Sequence, residues 1–86
     1  MIRAKQHPRI ESVKPLPRRR LLVAFQNGES RVFDCSPLLS DPCFAQLRND
    51  SLFKAVRVDS GGYGVSWTDE IDLSESEIWL KGMKVN

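Results

Sequence analysis

Histidine and cysteine are scarce in this chain of 86 residues: one histidine, His7, and two cysteines, Cys35 and Cys43, eight positions apart. Zinc frameworks need about four ligands at short characteristic spacings, and disulfide scaffolds need several cysteine pairs. Neither class is expected here, so no metal site and no cofactor are assigned. Both thiols are read as reduced core residues, the common fate of free cysteine. A run of about 20 apolar residues, the length that spans a bilayer, is also missing, and the polar N-terminus has no signal-peptide core. A cytoplasmic protein without a membrane segment is the expectation. The length allows one domain, with a modest core and little room for a deep cleft.

The missing histidines also weigh against catalysis. Serine, cysteine and aspartate are present, but a nucleophile needs a base held by packed neighbours. The only histidine lies in an N-terminal arm, residues 1–9, which Pro8 keeps from being helical. Pairing of His7 with Cys35 or Cys43 has no such support. The protein is read as a non-enzyme.

Charge is present but unevenly placed. Residues 1–20 carry seven basic side chains against Glu11, whereas residues 21–86 carry six basic against ten acidic. A basic front precedes an acidic body.

The clearest structural signal is Leu21–Asp34, LLVAFQNGESRVFD, with Asn27-Gly28 between two alternating runs. A type I′ turn needs positive φ at both central residues, which Asn and Gly tolerate best, so a hairpin is predicted. A two-residue loop would set Phe25 opposite Ser30, Val23 opposite Val32 and Leu21 opposite Asp34. Leu22 would then meet Phe33, and Ala24 would meet Arg31. A three-residue loop with a bulge shifts this register by one, and both remain open. Before the hairpin, Ile10–Leu16 reads as a first strand that Pro15 limits to an edge, and Lys14–Arg20 as a stiff connection.

After the hairpin, Asp41-Pro42 is a helix start, with Asp as N-cap and Pro at the first helical position. A helix over Pro42–Arg48 would bury Cys43, Phe44 and Leu47, ending at Asn49-Asp50. Val56 and Val58, then Tyr63, Val65 and Trp67, alternate as a second strand pair around Ser60-Gly61-Gly62. The acidic run Thr68–Leu73 leads to a final helix. Ser74 and Glu77 form its capping box, Leu73 staples onto Ile78, and Gly82 ends it. The expected domain, residues 10–86, is α+β, with a mostly antiparallel sheet and two short helices.

These landmarks in this order resemble a small bacterial family, domain-of-unknown-function family 2442. The resemblance rests on Phe25-Gln-Asn-Gly28, Arg31-Val-Phe-Asp34, Pro37-Leu-Leu39, Phe44 with Leu47, Phe53, Val56–Asp59, and Trp67-Thr-Asp69 running into Asp72-Leu73 and the Ile78–Gly82 helix. It spans about residues 10–82 and implies a β3-α-β2-α fold. It also implies a kinship with members carried beside a second small protein in proposed toxin-antitoxin pairs. No catalytic residue follows from it. Arg18-Arg-Arg20 is more basic than the family pattern, and Glu70 stands where glycine is common.

Three places are candidates for contact with a partner. Asp69, Glu70, Asp72, Glu75 and Glu77 place five acids in nine positions with no basic residue. They suit contact with a basic partner surface, or mimicry of nucleic-acid phosphates, better than a calcium loop, whose spacing they lack. Arg18, Arg19 and Arg20 suit nucleic-acid phosphates or another partner, although strand alternation would split them between faces. Trp79, on a short amphipathic helix, marks an interface if it is exposed. The expected function is a protein-binding module, antitoxin-like or another small inhibitor of a mobile-element or defence system, that occludes a macromolecular partner. The alternative is a nucleic-acid-binding accessory protein using the basic segment. A protein partner, with nucleic acid as the second choice, and a monomer or weak homodimer complete the expectation.

Overall fold

The hairpin forms at Asn27-Gly28 in the computed structural model, which describes residues 7–85. It closes with the three-residue loop. The Phe25 N–H donates to the Glu29 carbonyl (2.8 Å) and the Gly28 N–H to the Phe25 carbonyl (3.0 Å). Gly28 takes the left-handed position (φ 91°) that a type I turn followed by a bulge requires. The Asn27 side-chain oxygen accepts from the Glu29 N–H at 3.0 Å. The register is therefore one step from the two-residue alternative: Leu21 lies opposite Phe33, Leu22 opposite Val32, and Val23 opposite Arg31. A one-residue shift exchanges the faces of a strand. Val32 is thereby turned outward, and Arg31 is turned into the core, where it is 9% exposed.

The described residues form seven strands. β1 (Ile10–Leu16), β2 (Arg20–Phe25), β3 (Ser30–Asp34) and β7 (Met83–Val85) form one sheet in the order β1-β2-β3-β7; β4 (Arg57–Val58), β5 (Gly64–Thr68) and β6 (Ile71–Ser74) form another in the order β4-β5-β6. Every pairing is antiparallel. The expected α+β class holds, with two strands added to the β3-α-β2-α order. β6 lies within the stretch read as an acidic lead into the helix. Ile71 and Leu73 are buried while Asp72 and Ser74 are exposed, the period-2 pattern of a half-buried strand. β7 follows Gly82 and lies along β3.

The middle of the chain is built from tight turns. Two 3-10 helices, Ser36–Ser40 and Pro42–Arg48, precede α1 (Asp50–Phe53). Asp41 caps the second as expected, its carboxylate accepting from the Cys43 N–H at 2.9 Å. Leu47 is buried and Phe44 half-buried, but Cys43 is exposed, which corrects its reading as a core thiol. The cause is the helix type. At three residues per turn Phe44 and Leu47 eclipse each other, whereas Cys43 shares a face with Leu47 only at the 3.6-residue period.

α2 (Glu75–Lys81) begins with one half of the expected capping box, the Glu77 N–H donating to Ser74 Oγ at 3.2 Å. Leu73 and Ile78 are both buried, and Lys81 pairs with Glu77 one turn earlier at 2.8 Å. The helix packs on β3, β5 and β6, and so joins the two sheets. One core results, built on Phe25, Leu21, Val23, Phe33, Phe53 and Ile78 with Trp67 and Leu73. At the N-terminal side, Arg9 is tied to the hairpin through its carbonyl, which accepts from the Gln26 N–H at 2.8 Å. The rest of the expected arm, residues 1–6, lies outside the described residues.

Cys35 sits in that core, fully buried, and burial followed by the charge of Asp34 pushes its thiol up to about 12. Native protein at pH 8 is expected to expose one fast-reacting thiol to Ellman's reagent, Cys43, and a second only in denaturant. The unfolded Cys35 thiol ionises near pH 9 while the folded one stays protonated to about 12. Its contribution to stability is thus complete below pH 9 and declines between these values.

Candidate functional site

β1 passes into β2 through a turn made of the predicted basic segment, and two of its arginines have left-handed backbone: φ is 66° at Arg18 and 57° at Arg19. For residues other than glycine this costs on the order of 1 kcal/mol each. The surrounding contacts offset it. The Arg19 carbonyl accepts from the Cys35 N–H (2.8 Å), and the Arg18 carbonyl accepts from Ser36 Oγ (3.3 Å). The Arg19 guanidinium then reaches across to the helical segment. It donates to the carbonyls of Leu47 (2.9 Å) and Arg48 (2.8 Å) and to the Asp50 carboxylate (2.9 Å). These carbonyls end a helix and have no partner within it. The guanidinium carbon also stands 5.3 Å from the Phe53 ring centroid.

The three arginines therefore have three different roles. Arg19 is an internal clamp. Arg20 is half-buried and donates to the Pro17 carbonyl at 3.0 Å. Only Arg18 is exposed with no side-chain hydrogen bond among the described residues. Asp50 receives Lys54 at 3.0 Å in addition to Arg19. The Lys54 hydrogen bond first, then the charge of Lys54 and the contacts of Arg19, holds the Asp50 carboxyl below its ordinary value. A cleft of about 330 Å³ lies here, its lining made of Pro15, Leu16 and Pro17 from the turn and Asp50, Phe53 and Lys54 from the helical segment, with Arg18 and Arg19.

The acidic run does not make one patch. Asp69 and Glu70 are exposed at the β5–β6 turn, and Asp72 faces outward on β6 opposite Ser66. Ser66 has Arg57 as its other cross-strand neighbour. Glu75 lines a cavity with His7, Arg9 and Tyr63, whereas Glu77 lines a different one with Phe33, Pro37 and Lys81. Among the described residues, Glu77 is the acid of this run that has an ion pair. The basic turn and the acidic run form no ion pair with each other. Among the same residues, no group of three or more His, Cys, Asp or Glu side chains is placed to hold a metal.

Trp79 is half-buried, so it is not the exposed anchor that would mark an interface. Its ring meets Phe25 edge-on at 5.1 Å, and the Arg31 guanidinium lies 3.8 Å from the ring centroid. Arg31 also pairs with Glu29 at 3.1 Å. Sequence reading missed this cluster because the inward turn of Arg31 depends on the hairpin register.

The exposed apolar residues of this end are instead Leu80 (69%), Met83 (75%) and Val85 (39%). Met83 lies opposite Val32, and Val32 opposite Leu22, so an apolar row crosses three strands on the outward face of the larger sheet. Among the described residues β7 pairs with β3 alone and is the edge strand of that sheet.

Residues 10–83 match a family described as a protein of unknown function, DUF2442. No curated protein and no solved structure matches the chain.

Proposed function

We propose a function for a chain that belongs to the DUF2442 family: a non-enzymatic module that binds a protein partner and acts by occluding it. One observation carries this reading, the apolar row Leu22–Val32–Met83, which among the described residues ends at the edge strand β7, where Met83 and Val85 are exposed; Leu80 is exposed on the helix just before that strand. An edge strand offers unpaired backbone groups, and an apolar row beside it supplies side-chain contacts, the two ingredients of strand addition. A module of this size has little capacity for chemistry of its own, and covering a partner's surface is within its means. An antitoxin-like role, or inhibition of another mobile-element or defence system, is the form we assign to that occlusion. The protein acts in the cytoplasm as a monomer or weak homodimer. Among the described residues no helix is long and apolar enough to cross a membrane.

The test is co-purification with tagged full-length protein from its source cells, in parallel with Leu80→Asp and Met83→Asp. A stoichiometric protein retained by wild type and lost from both variants is the expected result. The reading fails if no protein co-purifies, or if the variants retain it equally.

A further inference from the structure

A second surface is independent of the β7 edge. We propose that the cleft between the Pro15–Arg19 turn and α1 binds the phosphate group of a nucleotide or short single-stranded nucleic acid. Three cations, Arg18, Arg19 and Lys54, surround it against the single carboxylate of Asp50. Their donors are not all consumed. Arg18 uses none of its side-chain donors among the described residues, and Lys54 spends one contact on Asp50. Arg19 makes one bond from each nitrogen, which leaves two of its five N–H groups free. A phosphate brings three or four acceptor oxygens, enough to take up donors from more than one of these side chains.

Position and shape agree with that ligand. Arg19 is locked by Leu47, Arg48 and Asp50, so one cation is oriented before anything binds. Preorganisation of this kind lowers the cost of ordering on binding. Arg18 and Arg19, both lining the cleft, have left-handed backbone, a strained geometry of the sort concentrated at binding sites. The walls formed by Pro15, Leu16 and Pro17 are apolar and suit a sugar or base next to the phosphate. A volume of about 330 Å³ falls at the small end of ligand sites. Asp50 does not forbid an anion, because its charge is already met by Arg19 at 2.9 Å and Lys54 at 3.0 Å.

The experiment is an amide-resolved NMR titration of the full chain at low salt with four probes. These are inorganic phosphate, a 5′-phosphorylated oligothymidylate, the same oligonucleotide with a 5′-hydroxyl, and a phosphoserine peptide. Shifts confined to the amides of residues 18, 19 and 50–54 are expected. Binding only of phosphorylated probes would assign a terminal phosphate, and equal binding of both oligonucleotides would assign the phosphodiester backbone; both outcomes support the site. The Arg18→Gly/Lys54→Gln pair should weaken binding by about tenfold or more, the loss expected when charge-assisted hydrogen bonds are removed. Glycine suits the positive φ at residue 18, and the spectrum itself reports whether each variant is folded. A control pair, Lys81→Gln/Lys84→Gln, removes the same charge at side chains that do not line the cleft and should leave affinity unchanged. Equal weakening by the control pair, no shift at the named amides, or a phosphoserine peptide shifting them where no nucleic-acid probe does would overturn the proposal.

Discussion

A Trp67→Ala variant is expected to melt far below the wild-type protein. Trp67 is 4% exposed on β5, stacks on Phe53 with centroids 6.0 Å apart, and donates its indole N–H to the Phe53 carbonyl at 2.9 Å. It thus joins the smaller sheet to α1, whose last residue is Phe53. Truncating a buried tryptophan to alanine costs about 3–5 kcal/mol through lost burial and the cavity left behind. The Phe53 carbonyl would also lose its partner at a buried position. A domain of this length has a total stability of roughly 4–13 kcal/mol, so the loss removes a large part of it. Trp67→Phe keeps a ring and loses the indole donor, and should cost about 1–3 kcal/mol. Circular dichroism and thermal melts check both. A Trp67→Ala melt within a few degrees of wild type would show that the Trp67–Phe53 contact is not what joins these elements.

Gly62→Ala should be damaging out of proportion to the single methyl group it adds. Gly62 has φ +78°, and a Cβ there would press into the Ile10 carbonyl oxygen while standing 3.0 Å from the Ile10 nitrogen. Both neighbours are backbone atoms of β1, so no side chain can swing away to relieve the contact. The left-handed conformation costs alanine about 1 kcal/mol, and forced overpacking adds about 1–3 kcal/mol. Gly28→Ala is the matched control. Its φ is +91° but nothing lies within 4 Å of the added Cβ, so only the conformational cost applies. Urea midpoints of the two variants should therefore differ, with Gly62→Ala lower by the equivalent of about 2 kcal/mol. Equal midpoints would mean that β1 moves away from the 60–62 turn at no cost.

The two variants also separate what could be read locally from what could not. Gly28 was legible because Asn-Gly between alternating runs is a signal within a few residues. The role of Gly62 was not, since its close neighbour is Ile10, more than fifty positions away. The same divide runs through the candidate sites. Asp69 to Glu77 looked like one acidic patch because they are adjacent in sequence. Strand alternation turns Asp72 outward, and α2 sends Glu75 and Glu77 to different cavities. Arg18–Arg20 looked like one basic patch, yet Arg19 is drawn off by carbonyls 28 and 29 positions away. Cys43 left the core because its segment winds at three residues per turn, a choice that periodicity over seven residues cannot distinguish from 3.6.

Local chemistry alone settled the class and its punctuation. The α+β order, the Asn27-Gly28 turn, the Asp41 and Ser74 caps and the family all rest on interactions spanning four residues or fewer, or on the order of such signals along the chain. Tertiary structure decided everything that depends on a face or a distant partner. A single-residue shift in the hairpin chose Arg31 over Val32 for the core. The packing of a turn against α1 made a cleft from Arg18, Arg19, Asp50 and Lys54. The pairing of β7 with β3 placed Met83 at the end of an apolar row. Side-chain direction in a strand reverses at every residue, and long-range contacts form between segments with no local signal for each other. The surfaces on which function rests are therefore the part of this protein written in its packing.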